Sequence, residues 1–278
     1  MIETKHKPKV NEAELKKIIC FINSLRGIDL CSYRETFLSR HLRSRLLQTV
    51  KDNPLDYINY IKKNPGEIDL FLNELSINVT HFFRDHEVFE AFANRALTEL
   101  IRRKENSERS LIRVWSAGCA SGQEAYSLAI LIKEVLEGYD NNYLVRIWAT
   151  DIDTKALERA KKAEYDIHDL KEVNKKLLEK YFVPVYNNKY LLNEEIKQMV
   201  RFEKHNLITD EGLKFMDVIF CRNVMIYFNR QQQEQLMHKF YASLNSRGYL
   251  VIAKVEVVWG KELFVPIDPL QKIFQRVN

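Results

Sequence analysis

Residues 113–131 read RVWSAGCASGQEAYSLAIL: an apolar run, a turn of small residues from Ser116 to Gly122, then an apolar-striped stretch with helical spacing. A second apolar run, IWATDID at 147–153, follows one helix and its connections later and ends on the carboxylate of Asp151. Strand, tight turn, helix and strand make a unit whose two strands run parallel. The small-residue turn and Asp151 then fall side by side at the carboxyl edge of a Rossmann-like sheet. Gly118 and Gly122 let backbone come close to a ligand, and an acid at the tip of the second strand can accept from both hydroxyls of a ribose. The turn is not G-x-G-x-x-G, and no Gly-Lys-Ser follows it. A pyrophosphate cradle is therefore disfavoured against a site for a single nucleoside such as S-adenosylmethionine.

Glycines after a strand are ordinary turn residues when they stand alone. Their pairing with Asp151 favours the ligand reading. The plain structural role for Asp151 is a helix N-cap, because Asp153-Thr154 opens the amphipathic segment KALERAKKAEY. With two acids present, one can cap while the other binds.

A length of 278 residues predicts two domains with ample chain for a buried core. A hydrophobic fraction of 46% and a charged fraction of 29% describe a soluble globular protein. No apolar run approaches the ~20 residues that span a bilayer, and MIETKHKPKV has no signal-peptide core, so a cytosolic protein without membrane insertion is expected. Cys20, Cys31, Cys119 and Cys221 form no C-x-x-C pair, and the seven histidines lack ligand spacing; no metal is expected. The net charge of +5 permits an acidic partner without demanding nucleic acid.

The first ~90 residues read as helices. NEAELKKIICFINSLRG closes on Gly27, PLDYINYIKKNPGEI ends near Asn64-Pro65, and EIDLFLNELSI continues the pattern. In YRETFLSRHLRSRLLQTV at 33–50, Leu38, Leu42, Leu46 and Val50 recur at helical spacing while Arg40, Arg43 and Arg45 occupy the remaining surface. A solvated charged face and a docking face for acidic groups are both open readings. The expected division is a helical domain over 1–90, a linker helix to about 108 carrying HEVFEAFANRALTELI, and an α/β domain over 109–278.

Two further segments stand out. INVTHFFRDHEVF at 77–89 brackets two phenylalanines with Asn78, Thr80 and Arg84, as a buried aromatic anchor holding polar groups would; Asp85 reads as an N-cap. FMDVIFCRNVMIYF at 215–228 reads as a buried parallel strand meeting Arg222-Asn223 where ligands bind in open α/β sheets. By spacing alone Tyr227 fits a core aromatic better than a site residue.

NVTHFFR, SAGCASGQEAYS, ATDID, Asn206-Leu207 and IFCRNVMIYF stand in the order found in chemotaxis-receptor glutamate O-methyltransferases of the CheR type, which the chain resembles over nearly its whole length. FFR followed by CRNVMIYF at this separation is the specific part. The resemblance implies an all-helical N-terminal domain, a class I methyltransferase domain with a small β-hairpin subdomain at about 180–202, and S-adenosylmethionine as cofactor, S-adenosylhomocysteine as product. It places Asn78, Thr80 and Arg84 at the cofactor's reactive end, Glu124 beside the cofactor, and Asp151 on its ribose, with Gly118, from the turn itself, letting backbone approach it. Asn206, Leu207, Arg222 and Asn223 would line the adenosine side, and Arg84 and Tyr227 would orient the substrate carboxylate. The implied partner is the acidic, helical cytoplasmic region of chemoreceptors, docked in part by Arg40, Arg43 and Arg45, and nothing in the chain demands more than a monomer. A degenerate relative serving as a receptor-binding module is the alternative.

There are departures. Gln123 and Ala125 stand where the family has Glu and Pro, and YFVPVYNNKYLL, a hairpin turning at Asn187-Asn188, lacks the glycine-rich loop of pentapeptide-binding members. After YLVIA the family continues Gly-His-Ser-Glu, whereas this chain reads KVEVVWGKELFVPIDP; VIAKVEV and LQKIFQRV are expected to form the sheet edge.

Overall fold

The computed structural model describes residues 10–26, 29–49, 53–75, 80–105, 110–139, 143–260 and 262–278. The chain falls into two units, one of residues 1–77 with 227–232 and one of residues 78–226 with 233–278.

The smaller unit is built on α1 (Glu12–Arg26), α2 (Glu35–Gln48), α3 (Pro54–Lys63) and α4 (Gly66–Leu75). Pro54 begins α3 where its missing N–H is no loss, and the Asn53 side chain caps it by accepting from Leu55 N at 2.8 Å. Leu38, Leu42 and Leu46 of α2 are buried with Ile18, Ile22, Tyr57, Ile61 and Phe71 in one apolar core. Gly27 and Val50 lie outside the described residues. Arg45 departs from the expected docking face, being only 7% exposed. Its guanidinium meets both oxygens of Glu67 at 2.8 Å and Glu74 at 3.1 Å, and Tyr57 donates to Glu67 at 2.7 Å. Arg45 therefore ties α2 to α4 and cannot greet a partner, whereas Arg40 and Arg43 are exposed. Tyr227–Gln232 belongs to this unit through backbone bonds, Arg34 N to Tyr227 O at 2.9 Å and Asn229 N to Ser32 O at 2.9 Å.

The larger unit opens with α5 (His86–Phe92) and α6 (Thr98–Lys104), joined by a π-helical turn. Then follow β1 (Leu111–Ala117), α7 (Gln123–Leu136), β2 (Leu144–Asp151) and α8 (Thr154–Lys162). Next come β3 (Glu164–Asp166), α9 (Lys175–Tyr181), β4 (Phe182–Val185), β5 (Lys189–Leu192) and α10 (Glu194–Gln198). The chain continues through β6 (Val200–Lys204), β7 (Met216–Cys221), α11 (Arg230–Ser243), β8 (Leu244–Ile252), β9 (Phe264–Asp268) and β10 (Ile273–Arg276). Seven strands form one sheet in the order β6-β2-β1-β7-β8-β10-β9. The first five are parallel, and β10 runs antiparallel to both β8 and β9. Every residue of β7 is buried, as a central parallel strand covered on both faces must be. The order reverses between β1 and β7, and the carboxyl ends of these two strands flank the crevice where open α/β sheets bind ligands.

Several boundaries differ from the sequence expectation. The division falls at 77/78 and not near 90, because Phe82, Phe83, Val88 and Phe89 are buried in the core of the larger unit. KALERAKK is helical, but Ala163 takes a left-handed conformation (φ 53°) and ends α8, so EYD becomes a strand. It completes a small antiparallel sheet, β3-β5-β4, around the expected hairpin, whose turn residues Asn187 and Asn188 have φ 60° and 57°. β6, assigned in part to that subdomain, is the outer strand of the main sheet. Residues 253–257 are not strand: β8 stops at Ile252, and FVPID, unmarked in the sequence reading, supplies β9.

Candidate functional site

Four segments of the larger unit converge at the carboxyl edge of the sheet. The first is the turn after β1. Gly118 (φ 83°) donates its N–H to Thr150 O at 2.8 Å, and a Cβ at this position would stand 2.4 Å from Val224 Cγ2. Gly122 (φ 93°) packs so closely that a Cβ would meet Ala160 at 2.9 Å and Phe202 at 3.1 Å. Both glycines are thus required by backbone conformation and by close packing.

The second segment is the end of β2. Asp151 accepts from Ala120 N at 2.8 Å with one oxygen and from Asp153 N at 2.9 Å with the other, while Asp153 caps α8 through Lys155 N and Ala156 N. The two acids divide the roles as their chemistry allows. Each Asp151 oxygen retains a lone pair for a further donor. Burial raises the Asp151 carboxyl above its ordinary range, opposed by those backbone N–H groups. His205 N donates to Asp151 O at 3.0 Å, which brings the following loop alongside. There Leu207 is buried, and the amide oxygen of half-buried Asn206 accepts from Ile208 N at 2.9 Å. Lys239 closes the loop by donating to Leu207 O and Asp210 O, each at 2.6 Å.

The third segment is THFFRD. Phe82 and Phe83 are buried, with Phe82 edge-on to Tyr165 and Phe182, and Phe83 N donates to Ser127 of α7 at 2.9 Å. This is the aromatic anchor expected from the sequence, and it leaves Thr80 and Arg84 half-buried. Asn78 lies outside the described residues. Asp85 differs from the sequence reading: it occupies the N-cap position with φ 58° and makes no side-chain cap bond. Its carboxylate instead pairs with Arg222 Nη2 at 2.5 Å.

Arg222 belongs to the fourth segment, the turn after β7. Its side chain is 2% exposed, its guanidinium lies 5.5 Å from the centre of the Phe89 ring, and its Nε is buried with no hydrogen-bond partner. Glu124, on the first turn of α7, accepts from Ser116 Oγ at 2.8 Å through Oε1, and its Oε2 stands 3.6 Å from Arg222 Nη1. Burial raises the Glu124 carboxyl, and Arg222, Ser116 and Arg84 pull it back. Half-buried Asn223 takes φ 60°.

Beneath this turn Glu256 accepts from Val224 N at 3.0 Å, Met225 N at 2.9 Å and Ala253 N at 2.8 Å. Glu256 thus holds the Val224–Met225 backbone of the turn and ties it to the end of β8 through Ala253. Asp85 and Glu256 are the residues that sequence reasoning overlooked. Asp85 looked like a cap, and Glu256 sat in a segment read as strand.

Arg84, Gly118, Glu124, Asp151, Asn206, Leu207, Arg222 and Asn223 therefore belong to one edge of one sheet. Tyr227, Arg40, Arg43 and Arg45 belong to the other unit, where the Tyr227 ring lies 4.8 Å from that of Phe37 and Arg40 lies 5.7 Å from the same ring. Among the described residues, no cluster of His, Cys, Asp or Glu is arranged to hold a metal ion.

The all-alpha domain of CheR methyltransferases matches residues 13–76, and the SAM binding domain of CheR methyltransferases matches residues 78–269. A chemotaxis protein methyltransferase of Borreliella burgdorferi is 36% identical over 265 residues, covering 94% of this chain and 93% of that protein. One from Listeria innocua is 32% identical over 84% of this chain and 85% of its own. Chemotaxis protein methyltransferase 2 of Pseudomonas aeruginosa is 33% identical over 81% of this chain and 79% of its own. Fold and comparison together define an S-adenosylmethionine-dependent methyltransferase. The chain belongs to the CheR methyltransferase family.

The residues present fit that cofactor. A carboxylate with open lone pairs stands at the tip of β2, where a ribose is met, and a second carboxylate, one of whose oxygens makes no hydrogen bond among the described residues, suits an ammonium group. The buried, unpartnered Arg222 Nε adds a donor that a ligand acceptor would satisfy.

Proposed function

We propose that this methyltransferase acts on glutamate side chains in the cytoplasmic helical region of chemoreceptors, giving glutamate methyl esters, and that it works in the cytoplasm. The observation that carries the reading is the grouping of Arg84, Glu124, Asp151 and Arg222 at the sheet's switch point in a chain whose relatives bear the name chemotaxis protein methyltransferase. When bound, the cofactor would supply a methyl group on a sulfonium; a carboxylate oxygen would form the new C–O bond in line as the C–S bond breaks, with S-adenosylhomocysteine leaving as the neutral thioether.

A glutamate is already ionised at neutral pH, so the protein need not remove a proton. What it must supply is alignment and partial exclusion of water, worth several kcal/mol. Asp151 is suited to the ribose hydroxyls and Glu124 to the cofactor's ammonium. Thr80, Asn206, Leu207 and Asn223 complete the cofactor surroundings in this reading, with Asn78 assigned by family resemblance alone. Arg84 is assigned to the substrate carboxylate as a charged donor that positions one oxygen without quenching the other, and Tyr227 keeps a substrate role by family resemblance alone. Arg40 and Arg43, exposed on α2, are the remaining candidates for an acidic docking surface.

The test is to incubate the protein with methyl-labelled S-adenosylmethionine and receptor cytoplasmic fragments. Label on the receptor that alkali releases as methanol supports a carboxylate ester. Alkali-stable label, or none, removes the proposal.

A further inference from the structure

Two carboxylates compete for one buried guanidinium. Arg222 is almost wholly withdrawn from water, so it has to keep an anionic partner. Asp85 holds it at 2.5 Å, while Glu124, equally charged when ionised and itself half-buried, is left at 3.6 Å, beyond hydrogen-bond distance. Glu124 Oε1 is engaged by Ser116, and among the described residues Oε2 has no hydrogen bond. Asp85 adopts a left-handed conformation and makes no cap bond at the head of α5; its carboxylate serves Arg222 instead.

We infer that Asp85 is a positioning residue that draws Arg222 off Glu124 and thereby keeps the Glu124 carboxylate open for the ammonium of the cofactor's amino-acid tail. Without the Asp85 charge, Arg222 would close the gap to Glu124, and a neutralised Glu124 would no longer attract a cation. The inference rests on the cofactor reading of this site. It concerns a residue that is not assigned to touch the cofactor.

Calorimetric titration distinguishes this device from a merely structural role. S-adenosylhomocysteine carries the ammonium, whereas 5′-methylthioadenosine has the same nucleoside and thioether without the amino-acid tail. Asp85→Asn keeps nearly the same shape, and asparagine tolerates the left-handed backbone, so the fold should survive; Asp85→Gly is the second variant, with thermal melting as the check on both. Asp85→Asn should weaken S-adenosylhomocysteine binding at least tenfold and change 5′-methylthioadenosine binding less than twofold. Glu124→Gln should do the same, and the double variant should be no weaker than either single one, because both remove a single interaction.

Equal loss of both ligands in Asp85→Asn, no loss of either, or additive losses in the double variant would overturn the inference. If the wild-type nucleoside affinity is too weak to titrate, the double-variant cycle with S-adenosylhomocysteine decides alone. Failure of the folded wild-type protein to bind S-adenosylhomocysteine would overturn the cofactor reading itself.

Discussion

Asp151 and Glu124 are carboxylates held where water is scarce, and for both the largest influence on ionisation is burial, which favours the protonated form. Around Asp151, the Asp153 charge adds to that effect while the N–H groups of Asp153 and Ala120 oppose it; around Glu124, Arg222, Ser116 and Arg84 oppose it. A ligand that needs both acids ionised should therefore be released at a pH above the usual carboxylate range of about 4. The sign for folding is opposite. The native state binds these protons more tightly than the unfolded chain, so the stability each acid contributes is present below its unfolded pKa and is lost as pH rises through the folded value. We expect S-adenosylhomocysteine affinity to fall as pH is lowered from neutrality, with the loss setting in above the usual carboxylate range while the protein stays folded, and a flat calorimetric profile down to that range would contradict it. Arg84, assigned to the substrate, should behave differently: Arg84→Ala is expected to lower turnover far more than cofactor affinity, and equal loss of both in steady-state kinetics and titration would remove the assignment.

Helix α2 shows how one pattern holds two kinds of arginine. Leu38, Leu42 and Leu46 mark its buried stripe, and Arg45, seven residues after Leu38 and three after Leu42, lies on that stripe, whereas Arg40 and Arg43 lie off it. Spacing thus contained the sign that Arg45 faces inward. Its partners Glu67 and Glu74 are more than twenty residues away and could not be read locally. Arg45→Met leaves Glu67 buried without its counter-charge and should cost about 3–5 kcal/mol in denaturant unfolding, against less than about 0.5 kcal/mol for Arg43→Met. The turn after β7 has a similar remote support in Glu256. Glu256→Ala strands the N–H groups of Val224, Met225 and Ala253, and a loss on the order of 3 kcal/mol is expected, with weaker S-adenosylhomocysteine binding because Arg222 and Asn223 share that turn. Undiminished stability in the same unfolding assay would show that water replaces the carboxylate there.

For the molecule acting on a partner, the relevant facts are a net charge of +5 and two exposed arginines on α2. Attraction between exposed charges is screened beyond about 10 Å at 0.1 M salt and beyond about 3 Å at 1 M. If Arg40 and Arg43 meet an acidic receptor helix, methyl transfer should weaken as salt rises. Arg40→Glu with Arg43→Glu should raise KM for the receptor severalfold and leave S-adenosylhomocysteine affinity unchanged. Transfer insensitive to both salt and charge reversal would place the docking surface elsewhere. No helix among the described residues is long and apolar enough to cross a membrane.

Local sequence determined the parts that depend on short-range physics. The β1 turn and its glycines, the acid closing β2, the buried β7 strand, the Asn-Asn hairpin and the leucine stripe of α2 are all visible there, because periodicity, turn chemistry and side-chain size act within a few residues. Tertiary structure alone decided which charges meet. Asp85 lies 137 positions before Arg222, Glu256 lies 32 after Val224, and Glu67 lies 22 after Arg45. Ion pairs and buried hydrogen bonds depend on distance in space, and a one-dimensional pattern records that distance only after the chain has folded.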